Sequence, residues 1–351
     1  MPEQSPSPKR RGRRLLRLGA SCVVLSAVAG YVVVQYVTGG AGDPGCRVVS
    51  GTGDKARYEF TPEQAVNAAT IAAVGTDREM PERAVAIALA TAIQESGLRN
   101  LAHGDRDSLG LFQQRPSQGW GTEKQVTDPA YAASIFYEHL AKVPDYTELP
   151  LTVAAQKVQR SGYPEAYAKH EGDAVMLAAA LTGTSAATLT CDGRLDSGTT
   201  SAASTVAAVA ATGPDAVRAA LSRDFGRDAL EEAKAQEDGN GDGNGDGDGK
   251  AAASAGAGVP AAETDGRTVT LPVSRETSAG RAVRERGWQL AHWAVANASA
   301  LHIRQVSYAG REWTAGNTDS QWRPMGSGST EAAGAAGSGG GTGSVRIVTG
   351  Q

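Results

Sequence analysis

The sequence predicts a mainly α exported domain outside an N-terminal transmembrane helix, followed by a small α+β module. Three observations carry the prediction. A charge-free apolar run follows a basic cluster; apolar residues recur every three or four positions between two cysteines; and a C-terminal stretch places one amphipathic helix among strand-like runs.

The basic cluster, residues 1–17, contains Lys9, Arg10, Arg11, Arg13, Arg14 and Arg17. Residues 18–37 carry no charge, and about 20 residues is what a helix needs to cross ~30 Å of hydrocarbon. Basic residues stay on the cytoplasmic side, so the expected protein is a single-pass cell-membrane protein with its bulk outside. Ala27-Val28-Ala29 also fits a signal cleavage site, and Arg13-Arg14 a twin-arginine export signal. Apolar sequence nonetheless continues from Tyr31 to Val37, as an anchor requires. Cys22 precedes most of the run and reads as one of its apolar residues.

Cys46 and Cys191 bracket the next segment. In an exported chain such a pair suggests a disulfide, with two separate thiols as the alternative. Within residues 46–191, Thr61-Pro62-Glu63 opens a helix with a cap, a first-turn proline and an acid at the positive end. Ala65, Ala68, Ala69, Ala72 and Ala73 mark its apolar face. Pro81 opens a second helix, with Val85, Ala88, Leu89, Ala92 and Ile93 at helical spacing, and Gly97 ends it. A polar loop follows from Asn100 to Ser108. Further helices are expected over Pro129 to Lys142, Leu151 to Arg160 and Glu171 to Leu181. The unit reads as all-α.

Residues 192–266 read as a low-complexity linker, with one helix expected between Pro214 and Gln236. The run Asp238 to Gly249 begins like a calcium loop, but Ala253 stands where its bidentate Glu belongs. In residues 267–351, Thr268 to Val273 is strand-like, Ser278 to Ala300 helical, and Ile303 to Tyr308 and Arg311 to Thr314 strands. A Gly-rich insertion separates these from a last strand, Val345 to Val348. His292 and His302 lack ligand spacing to any Cys or carboxylate, so no metal or cofactor is expected. A net charge of −4 gives no reason to expect nucleic-acid binding.

The chemistry is concentrated in Ala92-Ile93-Gln94-Glu95-Ser96-Gly97-Leu98 and Ser108-Leu109-Gly110-Leu111-Phe112-Gln113-Gln114. Together these resemble the lysozyme-like lytic transglycosylases of the SLT type, in which Glu-Ser ends a buried helix and a Gly-Leu-Met-Gln segment lines the sugar groove. Phe112 stands where that family usually has Met. The resemblance spans roughly Thr61 to Gly172. It implies a lysozyme-like fold and peptidoglycan glycan strands as substrate. It also implies Glu95 as the catalytic acid, with Ser96, Gly110, Leu111, Phe112, Gln113 and Gln114 at the substrate. The substrate's own C6 hydroxyl would attack, leaving a 1,6-anhydro sugar.

The residues themselves agree. Glu95 falls in the last turn of an apolar helix, where the macrodipole and burial both disfavour a carboxylate and so favour a proton donor. Trp120, between Gly119 and Gly121, is a candidate sugar-stacking platform, with Arg115 a nearby donor. Asp105 and Asp107 are either a second carboxylate for hydrolysis or turn residues. The family carries an Ala-Tyr-Asn-Ala-Gly segment whose Tyr supports the Glu. The corresponding stretch here, Ala154 to Gln159, has no Tyr, leaving Gln156, Gln159 or Tyr163 for that role. Two other functions fit the sequence: a non-catalytic glycan-binding or scaffold protein with cell-envelope partners, or an accessory subunit of a transport or secretion complex.

Overall fold

A computed structural model describes residues 45–163, 165–193, 213–226, 263–273, 282–316, 321–325 and 343–350. The basic segment 1–17, the expected span 18–37 and the Asp/Gly run 238–249 lie outside them. Among the described residues no helix is long and apolar enough to cross a membrane.

The chain is mainly helical, with eight α-helices among the described residues and a small antiparallel sheet at the C-terminal end. Helix α1 (Pro62–Asp77) starts on a capping box. The Thr61 hydroxyl accepts the Gln64 N–H, and the Gln64 side chain accepts the Thr61 N–H. Helix α2 (Glu82–Ser96) begins after Pro81. Both were expected to bury one face. In α2 every residue from Ala84 to Ile93 is instead buried, because α1, α4 (Pro129–Ala141), α5 (Leu151–Gln159) and α6 (Glu171–Thr182) surround it. Its alanines let those helices approach from all sides. A short α3 (Glu123–Val126) precedes α4.

The expectation of an all-α unit is corrected by a three-stranded antiparallel sheet, ordered β2-β1-β3, made of β1 (Cys46–Val49), β2 (Arg57–Phe60) and β3 (Leu189–Cys191). Strands of three or four residues are too short to show alternation, and β3 lies 145 residues from its partner. Cys46 and Cys191 face each other in register and are joined by a disulfide.

Helix α7 (Pro214–Phe225) lies within the stretch expected as linker and is packed, with Val217, Leu221 and Phe225 buried. The C-terminal sheet combines β4 (Glu263–Asp265), β5 (Thr268–Pro272), β6 (Ile303–Tyr308), β7 (Arg311–Thr314), β8 (Arg323–Pro324) and β9 (Ser344–Thr349). Their order is β4-β5-β9-β6-β7-β8, so the last strand inserts at the centre. Helix α8 (Val283–Ala296) lies between this sheet and helices α1 and α6.

One hydrophobic core runs through helices α1, α2 and α4 to α8 and strands β1 to β3, β5 to β7 and β9. Four indoles show how the sheet and helix are joined to the rest. Trp313 Nε1 donates to the Cys191 carbonyl at 3.0 Å and Trp322 Nε1 to the Leu189 carbonyl at 2.9 Å, satisfying the open edge of β3. Trp293 Nε1 donates to the buried Asp224 carboxylate at 2.9 Å, and Trp288 packs edge-on to Tyr308 and Trp322. Gly183 (φ 88°) ends α6 where a Cβ would lie 1.8 Å from the Glu285 carbonyl, so only glycine admits α8 this closely.

His292 sits in the same seam, fully buried, with Nδ1 donating to the Ala180 carbonyl at 2.7 Å. Nε2 is buried among Trp288 and Trp322 without a partner among the described residues. Burial pulls its pKa down to about 4, with the Ala180 bond opposing. The unfolded chain, near 6.5, therefore binds the proton more readily. Stability contributed by neutral His292 is present above pH 6.5 and is lost as pH falls through 4. The full loss is about 3 kcal/mol at 1.36 kcal/mol per pK unit. Urea unfolding at pH 7 and pH 4.5 should show a pH slope that His292→Gln flattens; an unchanged slope would remove His292 as its source.

Candidate active site

The C-terminal end of α2 opens into a groove of about 850 Å³. Its lining comes from the end of α2, the loop 105–120, the end of α4 and the end of α5. Glu95, half-buried in the last turn of α2, lines it.

The Tyr167 hydroxyl donates to Glu95 Oε1 at 2.6 Å, across 72 residues. Tyr167 is fully buried just before α6. Burial, then the hydrogen bond to Glu95, push its phenol well above the usual tyrosine range, so it stays a donor. Ser161, which lines the groove, acts on the same phenol in the opposite direction. No other hydrogen bond to Glu95 is formed among the described residues, which leaves Oε2 for a ligand. One residue upstream, Gln94 Oε1 meets His170 Nε2 at 3.1 Å.

The candidate supports named from the sequence act elsewhere. Gln156 donates to the Ser161 carbonyl at 2.8 Å, Gln159 to the Phe112 carbonyl at 2.8 Å, and Tyr163 is exposed. The residue that reaches Glu95 lies further along, in Ala166-Tyr167-Ala168. A tyrosine between alanines just ahead of a helix was the available signal.

The loop segment 108–114 splits into two roles. Ser96 is buried, its Oγ 2.8 Å from the Leu111 carbonyl, and it accepts the Arg99 N–H at 3.2 Å. Leu111 and Phe112 are fully buried, with Phe112 stacked on Phe136 at 4.7 Å. Their side chains hold the loop against the core, and Ser96, Leu111 and Phe112 are not among the residues lining the groove. Gly110 (φ 75°) marks the tightest point, since a Cβ there would lie 2.1 Å from the Val126 carbonyl. Gln113 and Gln114 do line the groove. Gln114 Nε2 donates to the Ala132 carbonyl at 3.1 Å, and its Oε1 has no partner among the described residues.

Asp107 is a loop-forming residue. The Ser117 hydroxyl and N–H, with the Arg115 guanidinium at 2.7 Å, hold its carboxyl well below the usual range. Asp105 lines the groove with Glu95. Trp120, half-exposed, lines it too and stacks on His139 with centroids 4.3 Å apart and planes 23° from parallel. Among the described residues no cluster of His, Cys, Asp and Glu could hold a metal ion.

A family model described as VldE, C-terminal domain, matches residues 260–335. The match covers β4 to β8 with α8 and includes none of the side chains lining the groove. No curated protein matches the chain.

Proposed function

We propose that this chain is a membrane-anchored, extracellular peptidoglycan-active protein of lysozyme-like fold that cleaves glycan strands by lytic transglycosylation, with Glu95 as general acid and base. The observation that carries the reading is the Tyr167–Glu95 hydrogen bond beside a groove of about 850 Å³ that Glu95 lines. A carboxyl group that lines a groove and has one oxygen fixed by a protonated phenol is oriented for proton transfer.

Glu95 gives its proton to the glycosidic oxygen as the C1–O bond breaks. The resulting carboxylate then takes the proton of the substrate's C6 hydroxyl as that oxygen bonds to C1, and Glu95 regains its proton. No water is consumed. A two-carboxylate hydrolysis would need a partner. Of the two loop acids Asp107 is tied to Arg115 and Ser117, and Asp105 lies on an exposed turn. The disulfide supports an oxidising compartment, and the apolar run 18–37 supports anchoring.

Tyr167 acts as a positioning residue. Tyr167→Phe should lower kcat by roughly tenfold or more with KM little changed, and shift the pH profile. Losing one hydrogen bond to a charged group is worth about 1.5–3 kcal/mol. Equal kcat and an unchanged profile would show that the phenol does not orient the acid.

A further inference from the structure

The groove is asymmetric in charge. Five cationic side chains line it, Arg106, Arg115, Lys142, Lys157 and Arg160, against the carboxylates of Glu95 and Asp105, on a chain of net charge −4. Two of the five are committed: Arg115 to Asp107 at 2.7 Å and Lys142 to Glu138 at 2.7 Å. The side chains of Arg106, Lys157 and Arg160 form no ion pair or hydrogen bond among the described residues. Lys157 and Arg160 sit one turn apart at the end of α5 and also line the neighbouring depression with Glu165, with which neither pairs.

The backbone supports placement for a purpose. Arg160 caps α5 in the left-handed conformation (φ 52°), a position where glycine or asparagine is the low-cost choice. Arg160 and Lys142 both act electrostatically on His139, whose pKa is lowered first by burial and then by these cations, with Glu138 opposing. The Trp120–His139 stack lines the same groove as these cations. A flat aromatic pair sharing a groove with an unpaired guanidinium and ammonium matches one ligand chemistry: a sugar ring for the stack and an anion for the cations.

We propose that the groove contains a subsite for a saccharide ring bearing a negatively charged substituent, carboxylate or phosphate, with Trp120 and His139 as platform and Arg160 and Lys157 as anion holders. This deepens the glycan reading above and rests on it. A neutral chitin-like strand would use the platform and leave the cations idle.

The test measures binding to the full chain carrying Glu95→Gln, so that turnover does not enter. Three probes are compared: a muropeptide tetrasaccharide with free stem carboxylates, phosphorylated N-acetylchitotetraose, and uncharged N-acetylchitotetraose. At least one anionic probe should bind about tenfold more tightly than the neutral one at low ionic strength, the gap closing as salt rises. Arg160→Gln with Lys157→Gln should erase the gap and leave the neutral probe unchanged; Trp120→Ala should weaken all three. A gap for the muropeptide alone assigns the anion to the stem peptide, and one for the phosphorylated probe alone to phosphate. Equal binding of all probes, no binding of any, or a gap that survives the double substitution overturns the proposal. Cleavage of sacculi by the wild type is scored separately. Cleavage without a charge gap sinks only the subsite, and a gap without cleavage sinks only the enzymatic reading.

Discussion

Glu95→Gln is expected to cut release of soluble fragments from cell-wall sacculi by roughly 10³-fold, within the 10²–10⁴ range of general acid–base catalysis. The substitution keeps the shape of the side chain and an oxygen for the Tyr167 hydroxyl to bond, so fold and glycan binding should persist. What it removes is the proton that Glu95 must first give and then recover. The loss should fall on kcat. An equal rate in the variant would exclude Glu95 as the proton carrier and shift attention to Asp105, the other acid in the groove lining. Binding to sacculi with no product from either form would favour a scaffold that reads glycan without cutting it.

Removing the disulfide is expected to produce the largest loss of stability. It closes a loop of 145 residues, for which the chain-entropy model gives roughly 4–5 kcal/mol as an upper figure. Cys46→Ala with Cys191→Ala, which leaves no free thiol, should lower the denaturation midpoint accordingly. The loss has a structural route to the rest of the molecule. β3 carries Cys191, and its carbonyl edge receives the indoles of Trp313 and Trp322. Loosening β3 therefore weakens the seam between the helical part and the C-terminal sheet. A midpoint unchanged by the double substitution would show that backbone pairing and the indole contacts hold β3 without the bond.

Helix boundaries were the most legible part of the fold, because their signals are local. Thr61 with Pro62, and Pro81, start α1 and α2 where caps and first-turn prolines say they should, and Pro129 and Leu151 open α4 and α5. The strands of the C-terminal module were legible for the same reason, apart from the short β4 and β8. What escaped the sequence is tertiary. The β2-β1-β3 sheet pairs residues from opposite ends of the segment. The burial of α2 on every side depends on four helices that its own periodicity does not reveal. No local pattern places Trp313 or Trp322 on the carbonyls of β3.

The site divides along the same line. Glu95, Gln113, Gln114 and Trp120 line one groove. Ser96, Leu111 and Phe112 belong to the same motif but do not line the groove, because a segment that must turn tightly beside the end of α2 needs its own anchors. Tyr167 is not legible from the motif because it lies in a segment beyond α5, and only the fold carries it across 72 residues to Glu95.

The central claim, water-free cleavage at Glu95, is tested most directly by digesting sacculi in ¹⁸O-labelled water with the full chain and weighing the soluble products. The expected products are 1,6-anhydro ends containing no solvent oxygen, with none of them formed by Glu95→Gln. Reducing ends carrying ¹⁸O, or no soluble products from the wild type, would contradict it.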